Sequence, residues 1–263
     1  MFYGRLVADM IYSRGQFGGA LHRALTASGD TAELRYAYRK AAILNIHRML
    51  WIRGMSLPPP ATILDIGCGN GSICVCAAQG LPGEFKSYGS PAEVDSESRW
   101  SEQLGFTGVP HEGCCGIDIE EKFIGVNAEV GVKQTVAQIP SDLISVPSDS
   151  FDQVIAGEII EHLHQEQWPA FIGDLVRISR YQVLITTPDW NADDPTGFRE
   201  PDPKARTEQY GHEAHMYVPN EMEWVSVFSS VASPISQVTE AYRIPGSLVA
   251  RIIKNPIPGL RVL

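Results

Sequence analysis

A glycine-rich turn directly after a short apolar run constrains the fold more than any other feature of this sequence. Residues 61–66 (ATILDI) are typical of a buried strand, and Gly67, Gly69 and Gly71 follow at every second position. Glycine permits the positive φ of such a turn and lets the backbone pass close to a ligand. The next segment begins a helix, whose first N–H groups lack partners within the helix and face that ligand. Residues 65–71 therefore predict a strand–loop–helix binding site.

Strand-like and helix-like segments alternate along the remaining chain. Alternation of this kind is typical of an α/β domain whose mainly parallel sheet is covered by helices on both faces. We therefore expect a doubly wound, mainly parallel sheet, although residues 132–141 (VKQTVAQIPS) make a poor strand. The predicted strands lie within residues 113–119, 151–160 and 181–190, with two more within 235–254, and the predicted helices lie at Trp168–Ile178 and from Pro219 onward.

Two regions stand apart from this pattern. Residues 1–58 are helical in character: Asp30 and Glu33 form a capping-box pattern, and a run of three prolines ends the segment. Residues 81–112 are polar, acidic and rich in Gly, Pro and Ser, which is typical of a surface insertion. We therefore divide the chain into an N-terminal helical lid, residues 1–58, and a main domain, residues 59–263, that carries the insertion.

The charge of the chain is unevenly distributed. The 263 residues have a net charge of −10, but residues 1–53 carry eight Lys and Arg against three acids. Nucleic-acid binding needs concentrated Lys and Arg, so the acidic remainder argues against broad contact with nucleic acid. The basic N-terminal residues, among them Arg35, Arg39 and Arg48, form either a solvated helix face or one local contact to an anion.

The sequence carries no targeting or membrane signal that we recognise. No apolar run reaches the ~20 residues of a membrane helix, and the first residues lack the features of a signal peptide. We therefore expect a cytosolic protein without membrane contact.

The five cysteines do not have zinc-ribbon spacing, so we expect reduced and mostly buried thiols. The oligomeric state stays open.

The glycine-rich turn and three later segments resemble class I S-adenosylmethionine-dependent methyltransferases. The turn carries G-x-G-x-G two residues after Asp65, unlike the G-x-G-x-x-G of dinucleotide binders. Residues 116–119 (GIDI) resemble the end of the family's second strand, Asp142 matches a later acid, and residues 151–155 (FDQVI) resemble its fourth strand. The resemblance covers residues 60–230 and implies a seven-stranded, Rossmann-like methyltransferase fold.

The same resemblance implies which residues hold the cofactor, S-adenosylmethionine. Asp118 would accept hydrogen bonds from the ribose hydroxyls, and Asp142 would meet the adenine amino group. Asp65 would support the loop and the amino group of the cofactor. The full set of implied cofactor residues is Asp65, Gly67, Cys68, Gly69, Gly71, Asp118, Ile119 and Asp142.

A cluster of carboxylates and histidines follows the fourth strand, at the end where a parallel sheet binds its ligands. Glu158 and Glu161 are three residues apart, so a helical turn would put both on one face, with His162 beside them. His215, or His212 in the same loop, follows the fifth strand. These side chains could bind Mg²⁺, Mn²⁺ or Zn²⁺, or they could orient and deprotonate a hydroxyl acceptor without a metal.

The E-x-x-E-H segment and the later histidine resemble the small-RNA 2′-O-methyltransferase family, in which such residues hold a metal at the terminal ribose hydroxyls. That resemblance implies Glu158, Glu161, His162 and His215 as ligands, and residues 186–189 (TTPD) fit it loosely. E-x-x-E-H also occurs among small-molecule methyltransferases of this fold, where the histidine packs structurally or serves as a base. Both interpretations stay open.

Three functions are compatible with these features. The first is O-methylation of a small-molecule or sugar-like hydroxyl, which the acidic body favours. The second is metal-dependent 2′-O-methylation of an RNA ribose, which the ligand-type residues and the basic N-terminal residues favour but the overall acidic charge does not. The third is a non-catalytic subunit that retains the cofactor fold, against which the intact glycine and acid motifs argue.

Overall fold

The computed structural model describes a sheet with helices on both faces. Only the last part of the predicted lid belongs to the described residues, and the predicted insertion at residues 81–112 lies outside them. None of the described helices is long and apolar enough to cross a membrane. The structure describes residues 48, 51–57, 60–69, 71, 73–74, 77, 113–121, 124, 132–189, 215–231, 236, 238–244 and 247–257.

Seven strands form the sheet in the order β3-β2-β1-β4-β5-β7-β6. Neighbouring strands are parallel except for β7, which runs antiparallel to β5 and to β6. This arrangement confirms the predicted mainly parallel, seven-stranded sheet. The strands are β1 (Ile63–Ile66), β2 (Cys114–Asp118), β3 (Lys133–Val136), β4 (Phe151–Gly157), β5 (Ser179–Pro188), β6 (Val238–Ile244) and β7 (Ser247–Ile253).

The order of the strands reverses between β1 and β4, which are neighbours in the sheet but not in the sequence. Ligands of such sheets bind in the crevice outside the carboxyl ends of the strands at this reversal. The register aligns these ends, because Ile66 pairs with both Ile117 and Ala156, and Gly157 pairs with Thr186. The residues that follow β1, β2, β4 and β5 therefore meet at one edge of the sheet, which we call the carboxyl edge.

Two helices cover one face of the sheet. Alternate residues of a strand point to opposite faces, and Val154 and Ala156 of β4 point to the helical side. The helices are α1 (Trp168–Ile178) and α2 (Glu221–Val231), and α1 has the bounds that the sequence predicts. Their large aromatic side chains fill this core and are fully buried: Trp168, Phe171, Trp224 and Phe228.

The opposite face is covered by the end of the N-terminal segment and by residues that follow the glycine turn. Residues 51–55 are helical, and Trp51 and Ile52 pack with Ile155 of β4. Cys74 is buried in the same cluster. Both faces of the central strands are thus covered, which explains why most residues of β4 and β5 are buried on either side of the sheet.

The strand β3 shows why residues 132–141 look unlike a strand. It forms one edge of the sheet, and three of its four side chains are exposed. An exposed edge strand needs no apolar pattern, because its side chains bury little surface. The composition of this segment is therefore compatible with its place in the sheet.

The helix α2 begins at Glu221, so the expectation that Pro219 lies in its first turn is wrong. Asn220 caps the helix instead. The N–H of Glu223 donates to Oδ1 of Asn220 at 3.0 Å, and the N–H of Asn220 donates to Oε2 of Glu223 at 2.9 Å. This reciprocal pair satisfies N–H groups that have no partner within the helix.

Replacing Asn220 with Ala removes the side-chain acceptor of this cap, so we expect the free energy of unfolding to fall by about 1 kcal/mol. Chemical denaturation followed by circular dichroism measures the change. The control is Met222→Ala in the same turn, because Met222 is 80% exposed and should contribute less than about 0.5 kcal/mol. Equal losses in the two variants would show that the cap does not stabilise α2.

Candidate active site

The glycine turn connects β1 to the carboxyl edge. The N–H groups of Gly67 and Cys68 both donate to the carbonyl of Ile117, at 2.7 and 3.1 Å. Gly67 and Gly69 have φ values of 70° and 48°, where other residues are strained. A Cβ atom at Gly67 would collide with the side chain of Ile159, whereas one at Gly69 would enter open space. The turn is packed on one side and leaves room for a ligand beside Gly69.

Asp118 ends β2 and binds the glycine turn directly. One carboxylate oxygen accepts the N–H of Gly69 at 2.7 Å, and the other accepts the N–H of Glu120 at 2.8 Å. The residue is 7% exposed, and its neighbour Ile119 is more exposed. Because each carboxylate oxygen can accept more than one hydrogen bond, Asp118 retains capacity to bind hydroxyl groups of a ligand.

Asp65 is a fully buried acid of β1, and neither carboxyl oxygen has a hydrogen-bond partner among the described residues. Burial raises the pKa of Asp65 from 3.8 to about 8; the backbone N–H of Cys74 lowers it, and the charge of Asp118 raises it further. The N–H of Cys74 does not reach hydrogen-bond geometry with either oxygen and so offsets burial only in part. A buried, unpaired acid of this kind is stabilised by a polar or cationic ligand.

Asp142 lies in a separate 3₁₀ turn, Ser141–Ser145, after β3. Its carboxylate accepts the N–H of Gln138 at 2.8 Å, which fixes the turn. The residue is exposed, so its carboxylate is accessible to a ligand. The adenine contact of Asp142 stays a prediction.

Glu161, His162 and His215 lie together after β4, at the carboxyl edge. One carboxylate oxygen and one nitrogen of each imidazole all lie within 4.8 Å of one another. The two imidazole rings meet edge to face, with their centroids 4.9 Å apart. Within the part of the chain that the structure describes, this is the one group of three or more such side chains that could hold a metal ion. We call it the carboxylate–histidine group.

Glu161 is the buried member of this group, with 0% exposure. One carboxylate oxygen accepts the hydroxyl of Thr187 at 3.0 Å, and the other has no partner among the described residues. Burial, followed by the charge of Glu158, raises the pKa of Glu161 well above its ordinary value, against the lowering effect of its hydrogen bonds and of Arg48. A proton or a cation beside the unpaired oxygen would stabilise this carboxyl group.

Backbone hydrogen bonds hold the loop of His215 against the 3₁₀ turn Ile160–His162. The N–H groups of Met216 and Tyr217 both donate to the carbonyl of Glu161, at 2.6 and 3.1 Å. These bonds bring together residues that are more than fifty positions apart in sequence. His212, the alternative to His215, lies outside the described residues.

Glu158 lies beside the carboxylate–histidine group but outside it. Its φ is 59°, a left-handed conformation that is uncommon for residues other than glycine. Glu158 therefore precedes the turn and does not share a helix face with Glu161, contrary to the expectation from their spacing. One carboxylate oxygen accepts the hydroxyl of Thr186 at 3.1 Å, and the other lies 2.7 Å from the guanidinium of Arg48.

The structure gives specific partners at this edge to three residues for which the sequence indicates only a general role. Thr186 and Thr187 each donate a hydroxyl to one of the two glutamates. Their position at the end of a predicted strand was a signal for such contacts. For Arg48 the sequence leaves open one contact to an anion but does not identify Glu158 as that anion, because more than a hundred residues separate the two.

The sequence of this chain also matches a known family. Residues 34–232 match the profile of a family described as a methyltransferase domain. The chain belongs to this family. The matched range includes the glycine turn and the E-x-x-E-H segment, and together with the strand order it confirms the predicted class I S-adenosylmethionine-dependent methyltransferase. The chain is therefore an enzyme, which argues against the non-catalytic alternative.

Several solved methyltransferase structures are similar to this one at low sequence identity. A magnesium protoporphyrin IX methyltransferase from Synechocystis PCC 6803, solved with bound S-adenosylmethionine, is 12% identical; the alignment covers 95% of this chain and 97% of that chain, with a TM-score of 0.49. Methyltransferases from Aquifex aeolicus and Archaeoglobus fulgidus, both S-adenosylmethionine-dependent, are 14% and 13% identical. These alignments cover 79% and 82% of this chain and 88% and 94% of the other chains, with TM-scores of 0.42 and 0.43. None of them identifies the acceptor of this methyltransferase.

The substitution Asp65→Asn removes the buried acid of β1 and should change how stability depends on pH. Folded Asp65 keeps its proton up to about pH 8, whereas the unfolded chain releases it near the ordinary pKa of 3.8. A pKa raised by folding stabilises the fold fully below the unfolded pKa, and this stability is lost as pH rises toward the folded pKa. We expect Asp65 to lower the free energy of unfolding by about 1 kcal/mol per pH unit between about pH 4 and pH 8.

Chemical denaturation of the ligand-free protein at several pH values measures this slope, and Asp65→Asn should lack the contribution of Asp65. Glu166→Gln is the matched control, because it removes one carboxylate from an exposed position. If Asp65→Asn and the wild type have the same slope, then Asp65 does not titrate in this range and the assignment of its pKa is wrong.

Proposed function

We propose that this methyltransferase methylates a hydroxyl of a small-molecule or sugar-like acceptor at the carboxylate–histidine group. The position of that group carries the proposal. The group follows β4, and β4 lies next to β1, whose glycine turn is open toward a ligand. Methyl transfer is an in-line displacement in which catalysis depends mainly on proximity and alignment, so cofactor and acceptor must share one edge of the sheet.

The cofactor half of the site is the glycine turn with the acids around it. S-adenosylmethionine, when bound, supplies a methyl group that its sulfonium already activates. The open side of Gly69 would take the cofactor, Asp118 would accept its ribose hydroxyls, and buried Asp65 would face its charged amino group. The residues proposed to hold the cofactor are Asp65, Gly67, Cys68, Gly69, Gly71, Asp118, Ile119 and Asp142.

The acceptor half of the site fits a divalent cation. One carboxylate and two imidazoles are a ligand set found at catalytic metal sites that keep a coordination position open. The unpaired oxygen of Glu161 would gain the partner that it lacks. We propose Glu161, His162 and His215 as ligands of Mg²⁺, Mn²⁺ or Zn²⁺, which would supply Lewis acidity to the acceptor hydroxyl.

The chain also has to remove a proton from the acceptor. The acceptor oxygen forms a bond to the methyl carbon as the carbon–sulfur bond breaks, and the hydroxyl proton passes to a base. His162 and His215 are the basic side chains of the carboxylate–histidine group, and in the absence of a cation one of these imidazoles would take this proton. With both imidazoles as ligands, the pKa of the acceptor hydroxyl would instead be lowered beside the cation, and its proton would pass to solvent water. Thr187 would support the reaction indirectly, because it orients Glu161.

Metal-dependent 2′-O-methylation of an RNA ribose is a second candidate function. The proximity of Glu161, His162 and His215 favours this function, because a cation bound by them could bind two neighbouring ribose hydroxyls. The basic residues near the N-terminus also favour it. The net charge of −10 favours the small acceptor, since binding of an RNA strand needs concentrated positive charge.

The acceptor class can be determined by transfer of a labelled methyl group from S-adenosylmethionine to a panel of acceptors. The panel contains polyhydroxylated small molecules, nucleosides and a short RNA with free terminal ribose hydroxyls, and mass spectrometry locates the methyl group. We expect O-methylated small molecules. Methylation of the RNA alone would favour the second candidate, and methylation confined to nitrogen or carbon atoms would contradict both.

The substitution Asp118→Ala tests the cofactor half. It removes a charged acceptor, so we expect the binding free energy of S-adenosylhomocysteine to weaken by ~1.5–3 kcal/mol in calorimetric titration. Asp174→Asn is the control, because it removes the same charge from an ion pair with Arg177 on α1. Unchanged affinity in Asp118→Ala would exclude Asp118 as the ribose contact.

Calorimetric titration of Mn²⁺, Mg²⁺ and Zn²⁺ into the protein saturated with S-adenosylhomocysteine tests the acceptor half. We expect one cation per chain, and we expect Glu161→Gln and His215→Ala each to weaken its binding by at least about tenfold, since each loses a ligand. His164→Ala is the matched control, because His164 is an exposed histidine near the same turn. Stoichiometric binding that persists in both ligand variants would place the cation elsewhere.

A further inference from the structure

An ion pair at the carboxyl edge joins the N-terminal segment to Glu158. The guanidinium of Arg48 lies 2.7 Å from Oε2 of Glu158, and the two side chains are 12% and 16% exposed. At this distance the contact is a charge-assisted hydrogen bond, and solvent screens it weakly. Loss of either partner would leave the other charge poorly compensated.

The position of Arg48 is fixed by the residues that follow it. The N–H of Leu57 donates to Oε1 of Gln153 at 2.8 Å, near the start of β4, whereas Arg48 reaches Glu158 just after the end of β4. The segment therefore runs along β4 in the opposite direction, with Trp51 buried against the sheet. This packing brings Arg48 to the carboxyl edge.

Glu158 is held in place as firmly as Arg48. Its N–H donates to the carbonyl of Thr186 at 2.9 Å, and Oε1 accepts the hydroxyl of the same residue at 3.1 Å. Both carboxylate oxygens are thus engaged, one by Thr186 and one by the positive charge of Arg48, which opposes the binding of a cation to the same carboxylate. Glu161 differs, because one of its oxygens has no partner among the described residues.

We infer that Arg48 keeps Glu158 from binding the cation and so restricts the proposed site to three protein ligands. The inference rests on the cation binding proposed above. Glu158 is near enough to influence Glu161 electrostatically, yet it is not a member of the carboxylate–histidine group. Arg48 acts here as a positioning residue, supplied by a segment far from the E-x-x-E-H motif.

This arrangement determines both the coordination and the charge of the site. Three protein ligands leave coordination positions open for acceptor oxygens, as in catalytic metal sites. Imidazoles bind metals in their neutral form, so a divalent cation with Glu161 as its one carboxylate keeps an excess positive charge. That excess stabilises an acceptor oxygen that has lost its proton, whereas a second carboxylate ligand would cancel it. Arg48 thus favours a hydroxyl acceptor that binds through its oxygen atoms.

The test is a double-mutant cycle on Mn²⁺ affinity, measured by calorimetry in the full chain with S-adenosylhomocysteine. Arg48→Met should release Glu158 as a fourth ligand and tighten Mn²⁺ binding by about tenfold or more, because affinity rises with the number of charged ligands. In the background of Glu158→Gln, the same substitution should tighten binding much less, since only the repulsion by Arg48 is removed. Arg48→Lys keeps the positive charge and should bind Mn²⁺ like the wild type.

Each outcome of this cycle bears on the inference. The inference would be overturned if Arg48→Met raised the affinity for Mn²⁺ equally in the wild type and in Glu158→Gln. It would also be overturned if Glu158→Gln lost as much affinity for Mn²⁺ as Glu161→Gln. Mn²⁺ binding by Arg48→Met but not by the wild type would contradict the cation site with three protein ligands, although it would show that Arg48 prevents coordination by Glu158. Absence of binding in the wild type and in all variants would overturn the cation proposal itself. If Arg48→Met does not give the circular dichroism spectrum of the folded protein, Arg48→Gln replaces it.

Discussion

The parallel register of β2, β1, β4 and β5 is the constraint on which the site depends. Ile66 pairs with Ile117 on one side and with Ala156 on the other, so the ends of three strands lie level. A slip of one residue would turn the buried side chains of a strand toward the opposite face. The register thus aligns the glycine turn, Asp118 and the carboxylate–histidine group at one edge, although more than 140 residues of sequence separate the first of them from the last.

Two pairs of acids at this edge follow the same physical arrangement. In each pair one carboxylate is engaged by donors: Asp118 by backbone N–H groups, and Glu158 by Arg48 and Thr186. The other member, Asp65 or Glu161, is buried with an oxygen that has no partner within the described part of the chain, and burial and the charge of its neighbour raise its pKa. Buried acids of this kind destabilise a fold unless a ligand stabilises them. Acids with strongly shifted pKa values are accordingly concentrated at functional sites, where a ligand binds.

The sequence predicts those parts of the fold that local apolar patterns determine. The turn after β1, the buried strands β4 and β5 and the bounds of α1 follow from runs of apolar residues and from glycine spacing. The start of α2 was misplaced because proline is also favourable in a first turn, although the N-x-x-E pattern of Asn220 and Glu223 could have identified the cap. The edge strand β3 has no apolar pattern, because little of it is buried.

The sequence indicates which residues belong to the candidate site, but it does not indicate which of them contact one another. The motif E-x-x-E-H predicts that Glu161 and His162 lie at this edge, and the position of His215 after the fifth strand predicts that it lies near them. The engagement of Glu158 could not be predicted, because it depends on the left-handed backbone at Glu158 and on the packing of Trp51 that brings Arg48 to the edge. Contacts of this kind arise from tertiary packing, which local sequence patterns do not encode.

The proposed function requires the glycine turn to hold the cofactor and the carboxylate–histidine group to hold a cation at the same carboxyl edge. Anomalous X-ray diffraction from crystals grown with Mn²⁺ and S-adenosylhomocysteine tests it most directly. We expect one anomalous peak within bonding distance of Glu161, His162 and His215, not of Glu158, with the cofactor product beside Gly69 and Asp118. An anomalous peak at another place, or a cofactor bound away from the glycine turn, would contradict it.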